Sequence, residues 1–209
     1  LPENYLIHLF QLPAADMVIL PVKMTGKKWI QHLAAVEFDW LQLLAFGAVK
    51  PVLCNGANLV FSKKAYTQAS KIRSDFDLAS GDDVFLLSAF RHHKREILRV
   101  YDEVLTVQTP APQSAAELFQ QRRRWISKLA RMNDSGSYLA LLFLVVVETG
   151  FLFSLFALFF NPLYLILIAL KLITEFMIAA NAGSADLRTT FTTCCIHQVW
   201  YPLYLILLL

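Results

Sequence analysis

The stretch QQRRRWISKLAR, residues 120–131, stands just before an apolar run that opens Tyr138-Leu-Ala-Leu-Leu-Phe-Leu-Val-Val-Val. Four arginines, one lysine and one tryptophan share these twelve residues. Three readings compete for so much positive charge at that threshold. It can orient membrane spans, hold the chain to a lipid surface, or bind a phosphorylated ligand. The choice decides whether residues 138–209 are a membrane region or part of a folded core.

Outward from this segment the chain divides into two unlike parts. Nearly all the charge lies in residues 1–137, and residues 138–209 are overwhelmingly apolar. The whole chain has 209 residues, 56% apolar and 17% charged, enough for one domain with a real core. Its net charge of +3 is small, and the basic residues form no stripe, which argues against a nucleic-acid partner. Cys54, Cys194 and Cys195 have no regular spacing, so no disulfide framework is expected. The odd count fits a reducing compartment. The chain begins Leu-Pro-Glu, with neither Met nor a signal peptide, and ends inside an apolar run. It reads as an internal piece of a longer protein.

Residues 138–160 carry one charge, Glu148, and are long enough for a helix that crosses a hydrocarbon core. After the turn signal Asn161-Pro162, residues 163–181 form a second expected span. Its Lys171 and Glu175 are four apart and so share a helix face, as a packing pair. An incomplete third span starts near 193 and is broken at Pro202. Arg122, Arg123, Arg124, Lys128 and Arg131 precede the first span, and basic residues mark the cytoplasmic side. The expectation is an integral membrane protein, of bacterial inner-membrane type, with residues 1–137 in the cytoplasm.

Within residues 1–137 short strands and helices alternate, the pattern of an α/β domain. Residues 17–22 read as a buried strand, and 29–48 as a helix with Ile30, Leu33, Ala34, Phe38 and Leu41 on its apolar face. Glu37 and Asp39 fall to its polar face. Leu53 to Phe61 is a loop entering a strand, with a tight turn at Asn55-Gly56. Residues 63–70 and 84–90 read as helices, 97–107 as strand-like, and 115–131 as a helix that lies near the membrane surface.

Two groups carry candidate chemistry. Asp82-Asp83, with Asp75 and Asp77 upstream, places four carboxylates within nine residues. Such a pair can cap a helix, bind a metal or act as a general base. Gln121, Arg124 and Trp125 lie within about one turn of each other on a helix. Arginine offers a rigid fork of donors for a diphosphate, and tryptophan a flat face for a sugar ring. An interfacial tryptophan with snorkelling arginines is the competing account. His92-His93, followed by Lys94 and Arg95, reads as a solvated basic patch.

The order Asn55-Gly56-Ala57-Asn58, Ser80-Gly81-Asp82-Asp83, Gln121-Arg122-Arg123-Arg124-Trp125, then apolar spans, resembles the membrane-bound family 2 glycosyltransferases. That group includes cellulose and hyaluronan synthases and ceramide glucosyltransferases. The resemblance implies a partial GT-A glycosyltransferase domain in residues 1–137 followed by transmembrane helices in 138–209. It implies inverting transfer of a sugar from a nucleoside-diphosphate sugar, such as a UDP-sugar, to a lipid, lipid-linked or polysaccharide acceptor. Asp83 would be the general base and Asp82 would shape the site. Gln121, Arg124 and Trp125 would meet the diphosphate, and Asn55, Gly56 and Asn58 would form the acceptor-side loop. Arg122 and Arg123 would face elsewhere, toward lipid headgroups. The family's Asp-x-Asp site for Mg²⁺ or Mn²⁺ is expected upstream of Leu1, and Asp75-Phe76-Asp77 is not in its place. Two rivals remain, a non-enzymatic membrane scaffold that keeps a glycosyltransferase-like domain and a transporter.

Overall fold

The computed structural model describes residues 2–72, 82–131, 135–181 and 187–208. Asp75, Asp77, Ser80 and Gly81 therefore lie outside the described residues. The expected strand over 17–22 is two strands, β1 (Met17–Ile19) and β2 (Val22–Thr25), in separate sheets. Pro21, which has no N–H to give a ladder, stands between them. In the first sheet β1 lies between β3 (Leu59–Phe61), antiparallel, and β4 (Ile97–Arg99), parallel. In the second, β2 pairs in parallel with β5 (Val107–Pro110), Val22 opposite Val107.

Alternate side chains of β1 serve opposite faces, as a strand's period of two requires. Met17 and Ile19 pack on α3 (Lys63–Ala69) and α4 (Asp82–His92), against Ala65, Leu86, Leu87 and Phe90. Val18 and Leu20 pack on the other face with Leu105 and with Tyr5 of α1 (Tyr5–Phe10).

Helix α2 (Trp29–Gly47) covers β2. Ile30, Ala34 and Phe38 meet Val22, Met24 and Leu118 of α5 (Ala115–Arg131). Gln42 clamps the start of β2: its Oε1 accepts from Val22 N at 2.8 Å and its Nε2 donates to Val22 O at 3.1 Å. The start of α5 is fixed by Ser114 Oγ, which accepts from Glu117 N at 3.2 Å, and by Glu117 Oε2, which accepts from Gln113 N at 2.7 Å. That is close to a capping box.

The apolar part forms α6 (Ser135–Ala157), α7 (Tyr164–Ala180) and α8 (Leu187–Leu208). Helix α2 packs on this group through Trp40 and Leu43, which join Ala179, Cys194, Tyr201 and Leu205. At Gly47 the approach is so close that a Cβ would stand 1.9 Å from the carbonyl oxygen of Ile178. Inside the group Lys171 Nζ lies 2.8 Å from Glu175 and 3.3 Å from Glu148, and Gln198 bonds to both Lys171 and Glu175. His197 is buried, stacked on Trp40 with ring centroids 3.4 Å apart.

The expectation of transmembrane segments is corrected here. Among the described residues, no helix is long and apolar enough to cross a membrane. Helix α7 has 17 residues, so it rises about 25 Å, short of a ~30 Å hydrocarbon core. Helix α8 starts at Leu187, not near 193, and so takes Arg188, Thr190, His197 and Gln198 into the same helix as the apolar residues. Helix α6 ends at Ala157 and includes Glu148, Thr149 and Ser154. The integral inner-membrane location, and the orientation drawn from the arginines, fall with the spans. Large apolar side chains, Phe156, Phe160 and Ile166 among them, remain exposed on α6, α7 and their connection.

Candidate active site

Asp83 sits in the first turn of α4, where a carboxylate suits the positive end of the helix dipole. Its Oδ2 accepts from Gly56 N at 3.0 Å, and its Oδ1 accepts from Val84 N at 2.9 Å. The Cys54 thiol donates to the Asp83 carbonyl at 3.3 Å. Burial, and then the Asp83 carboxylate, raise the Cys54 pKa far above its ordinary value, so the thiol stays protonated and able to donate. The structure thus brings two sequence-derived groups together. The 54–56 loop is the cradle of the Asp83 carboxylate. The turn itself is held by Asn55, whose Oδ1 accepts from Ala57 N at 2.9 Å.

Asn58 has a different place. It is buried, accepts from Tyr5 Oη at 2.5 Å, and donates to Pro21 O and Leu105 O at 2.7 and 2.8 Å. Both amide hydrogens are spent on the framework that joins α1, the β1–β2 link and the turn before β5. Asp82 is exposed beside Asp83 at the helix start.

Asp83 and Asn55 line a cavity of about 220 Å³. Its other walls are Glu37, Phe38, Leu41 and Gln42 of α2, Arg122 and Trp125 of α5, and Tyr201 of α8. Trp125 leans on Phe38, ring centroids 6.1 Å apart. The arginine at this wall is not Arg124, which is exposed, but Arg122. Arg122 is 3% exposed and Glu37 2%, and Arg122 Nε donates to Glu37 Oε1 at 2.7 Å. Arg122 Nη1 donates to Gln121 Oε1 at 2.9 Å, and the guanidinium lies 4.1 Å from the Trp125 ring centroid. The expectation that Arg122 faces away toward lipid headgroups is therefore corrected. Burial raises the Glu37 pKa, and the charge and hydrogen bond of Arg122 oppose that shift.

The pair leaves two buried polar atoms without a hydrogen bond, Glu37 Oε2 and Arg122 Nη2. One accepts, the other donates, and both residues line the cavity. Glu37, Gln42 and Arg122 are the residues that sequence reasoning missed. A signal existed for Glu37: it falls at helical spacing with Ile30, Ala34, Phe38 and Leu41, on the apolar stripe rather than off it.

Among the described residues no group of three or more His, Cys, Asp or Glu side chains can hold a metal ion. These residues do not fit a Mg²⁺ or Mn²⁺ site.

A carboxylate in the lining of a cavity whose walls also carry a buried arginine and a tryptophan can take a proton from a bound hydroxyl. No curated protein and no solved structure matches the chain. One family model, described as Glycosyl transferase family group 2, matches residues 2–208, and so runs through α6 to α8 as well as the sheets. The α/β part is accordingly a GT-A-like domain, and the chain belongs to glycosyl transferase family group 2 as a family 2 glycosyltransferase.

Proposed function

We propose that the chain transfers a sugar, with inversion, from a nucleoside-diphosphate sugar to an acceptor hydroxyl, with Asp83 as general base. The observation that carries this is the Asp83 carboxylate, fixed by Gly56 N–H and Val84 N–H at the wall of a cavity large enough for a reacting group. Each carboxylate oxygen has a lone pair left after those bonds. In the reaction, the acceptor oxygen attacks the anomeric carbon as its proton passes to Asp83. The bond from that carbon to the diphosphate breaks, and the nucleoside diphosphate leaves with the electron pair.

Donors aimed at the departing diphosphate stabilise the charge that grows there. Gln121, Arg124 and Trp125 are the residues for this in the resemblance. Arg124 is exposed and can approach a ligand that docks on the surface of α5. Arg122 also lines the cavity, and its guanidinium is a second candidate donor. An acceptor phosphate arrives already ionised and has no need of a base. Asp83 therefore matters most for hydroxyl acceptors.

The test is nucleoside-diphosphate release from a panel of nucleotide sugars, with wild type beside Asp83→Asn. The expected loss is about 10²- to 10⁴-fold, the usual contribution of general-base catalysis. The melting temperature should stay close to that of wild type, since asparagine keeps an oxygen for Gly56 N–H. Undiminished release by Asp83→Asn would remove the base assignment.

A further inference from the structure

Gln121 and Trp125, two of the residues assigned to the departing diphosphate, share one neighbour. Arg122 Nη1 donates to Gln121 Oε1 at 2.9 Å. The same guanidinium lies 4.1 Å from the Trp125 ring centroid, inside the ~6 Å reach of a cation–π contact. A guanidinium has donors and no acceptor. The Gln121 amide oxygen must therefore face Arg122, and its NH₂ group must point elsewhere. Without the arginine the amide is free to turn over. It would then offer an oxygen, which an anionic diphosphate repels. The arginine is itself fixed from outside α5. Its Nε donates to Glu37 Oε1 of α2 at 2.7 Å, across 85 positions of sequence, and both residues are buried. Helix α2 is in turn clamped to β2 by Gln42. Close packing leaves such side chains little freedom to change rotamer.

Resting on the transferase reading above, we propose that Glu37 and Arg122 are positioning residues of the transfer. Glu37 holds the guanidinium, and the guanidinium turns the Gln121 NH₂ group toward the diphosphate and steadies the Trp125 ring. The control is exerted where charge grows on the leaving group. It therefore belongs to kcat and leaves KM for the nucleotide sugar little changed.

The experiment measures kcat and KM for nucleoside-diphosphate release, from the nucleotide sugar that wild type uses best, beside thermal melts. Glu37→Leu with Arg122→Met removes both buried charges, so it should melt close to wild type. Its kcat should still fall about 10²-fold, a usual result of a small misplacement. Glu37→Gln keeps an oxygen for Arg122 Nε but leaves the buried arginine without a counter-charge. It should melt lower than the double variant and yet turn over faster. Activity and stability then run in opposite orders, which a purely structural pair does not produce. Arg122→Lys keeps a cation beside Glu37 but loses the planar fork that serves Glu37 and Gln121 together, and its kcat should fall by a similar factor. In a Gln121→Ala background the same change should cost clearly less, because its target is gone. Wild-type kcat in the double variant or in a folded Arg122→Lys overturns the proposal, as do losses in Arg122→Lys and Gln121→Ala that simply multiply. Each of these leaves the transferase reading standing. If the double variant does not fold, Arg122→Lys and the Gln121 cycle decide. Failure of wild type to release nucleoside diphosphate from any donor sinks the transferase reading, and the proposal with it.

Discussion

Glu37 and Arg122 show how much a single position can depend on its partner. Each is buried, and each neutralises the other. Removing one leaves a buried charge alone, which costs about 3–5 kcal/mol, whereas replacing both by apolar side chains of similar volume costs little. Arg122→Met should therefore lower the melting temperature by roughly 10 °C, given about 2–4 °C per kcal/mol for a chain of this size. Glu37→Leu with Arg122→Met should recover most of that loss, and thermal melts of the two variants check it. The same pair explains why part of the site was legible in the sequence and part was not. Asp83 and the Asn55-Gly56 turn stand out because their residue types are suited to caps and tight turns. Arg122 does not, because three arginines in a row are alike in type and differ only in the direction each takes from the helix. That direction is set by Leu118, buried four residues before it, and Trp125, half-buried three after it, and the composition of residues 120–131 hides it.

At the scale of elements, two glycines make opposite predictions. Gly47 lets α2 touch the backbone of α7, so Gly47→Ala forces the helices apart and should destabilise by about 1–3 kcal/mol. Gly150, in the interior of α6, has open space around its Cα, so Gly150→Ala should gain up to about 1 kcal/mol from helix propensity alone. Chemical denaturation of both variants, with a shared wild-type baseline, would show the two shifts in opposite directions. Elements were legible where one face repeats: α2 and α5 fall within a residue of their expected bounds. The helical half was legible as helices and misread as spans. Its apolar residues satisfy a span pattern and a packing pattern equally well, and Trp40 and Leu43, which pack against α7 and α8, lie far away in sequence. The division of residues 17–22 into two strands was missed for a similar reason. The run is apolar throughout, and only the pairing partners, β3 and β4 against β5, reveal the break at Pro21.

For the whole molecule, stability should depend on pH through two buried groups of the helical half. Burial, eased by Lys171 and reinforced by Glu175, raises Glu148 from its ordinary 4.5 to about 7. Its contribution is fully present below 4.5 and is lost as the pH rises through about 7, because the folded state must then hold a buried carboxylate. His197 has the reverse sign. Burial, then Lys171, lowers its pKa well below 6.5, and both ring nitrogens lack a hydrogen bond. Its contribution is full above 6.5 and shrinks as the pH falls below that value. Glu148→Gln should thus flatten the fall in melting temperature between about pH 5 and 8 by several degrees, and His197→Phe should flatten the acid limb. Scans of both variants across pH 4–9 (roughly the range that spans both titrations) would separate them; an unchanged alkaline limb in Glu148→Gln would rule out that carboxylate as its source. Helix α2 carries Phe38 and Gln42 toward β2 and Trp40 and Gly47 toward α7 and α8. No local opening can free its backbone without breaking both cores at once. In hydrogen exchange its amides should therefore be the slowest of the chain, released only with global unfolding, and a label retained there would act as a clock for the life of the native state.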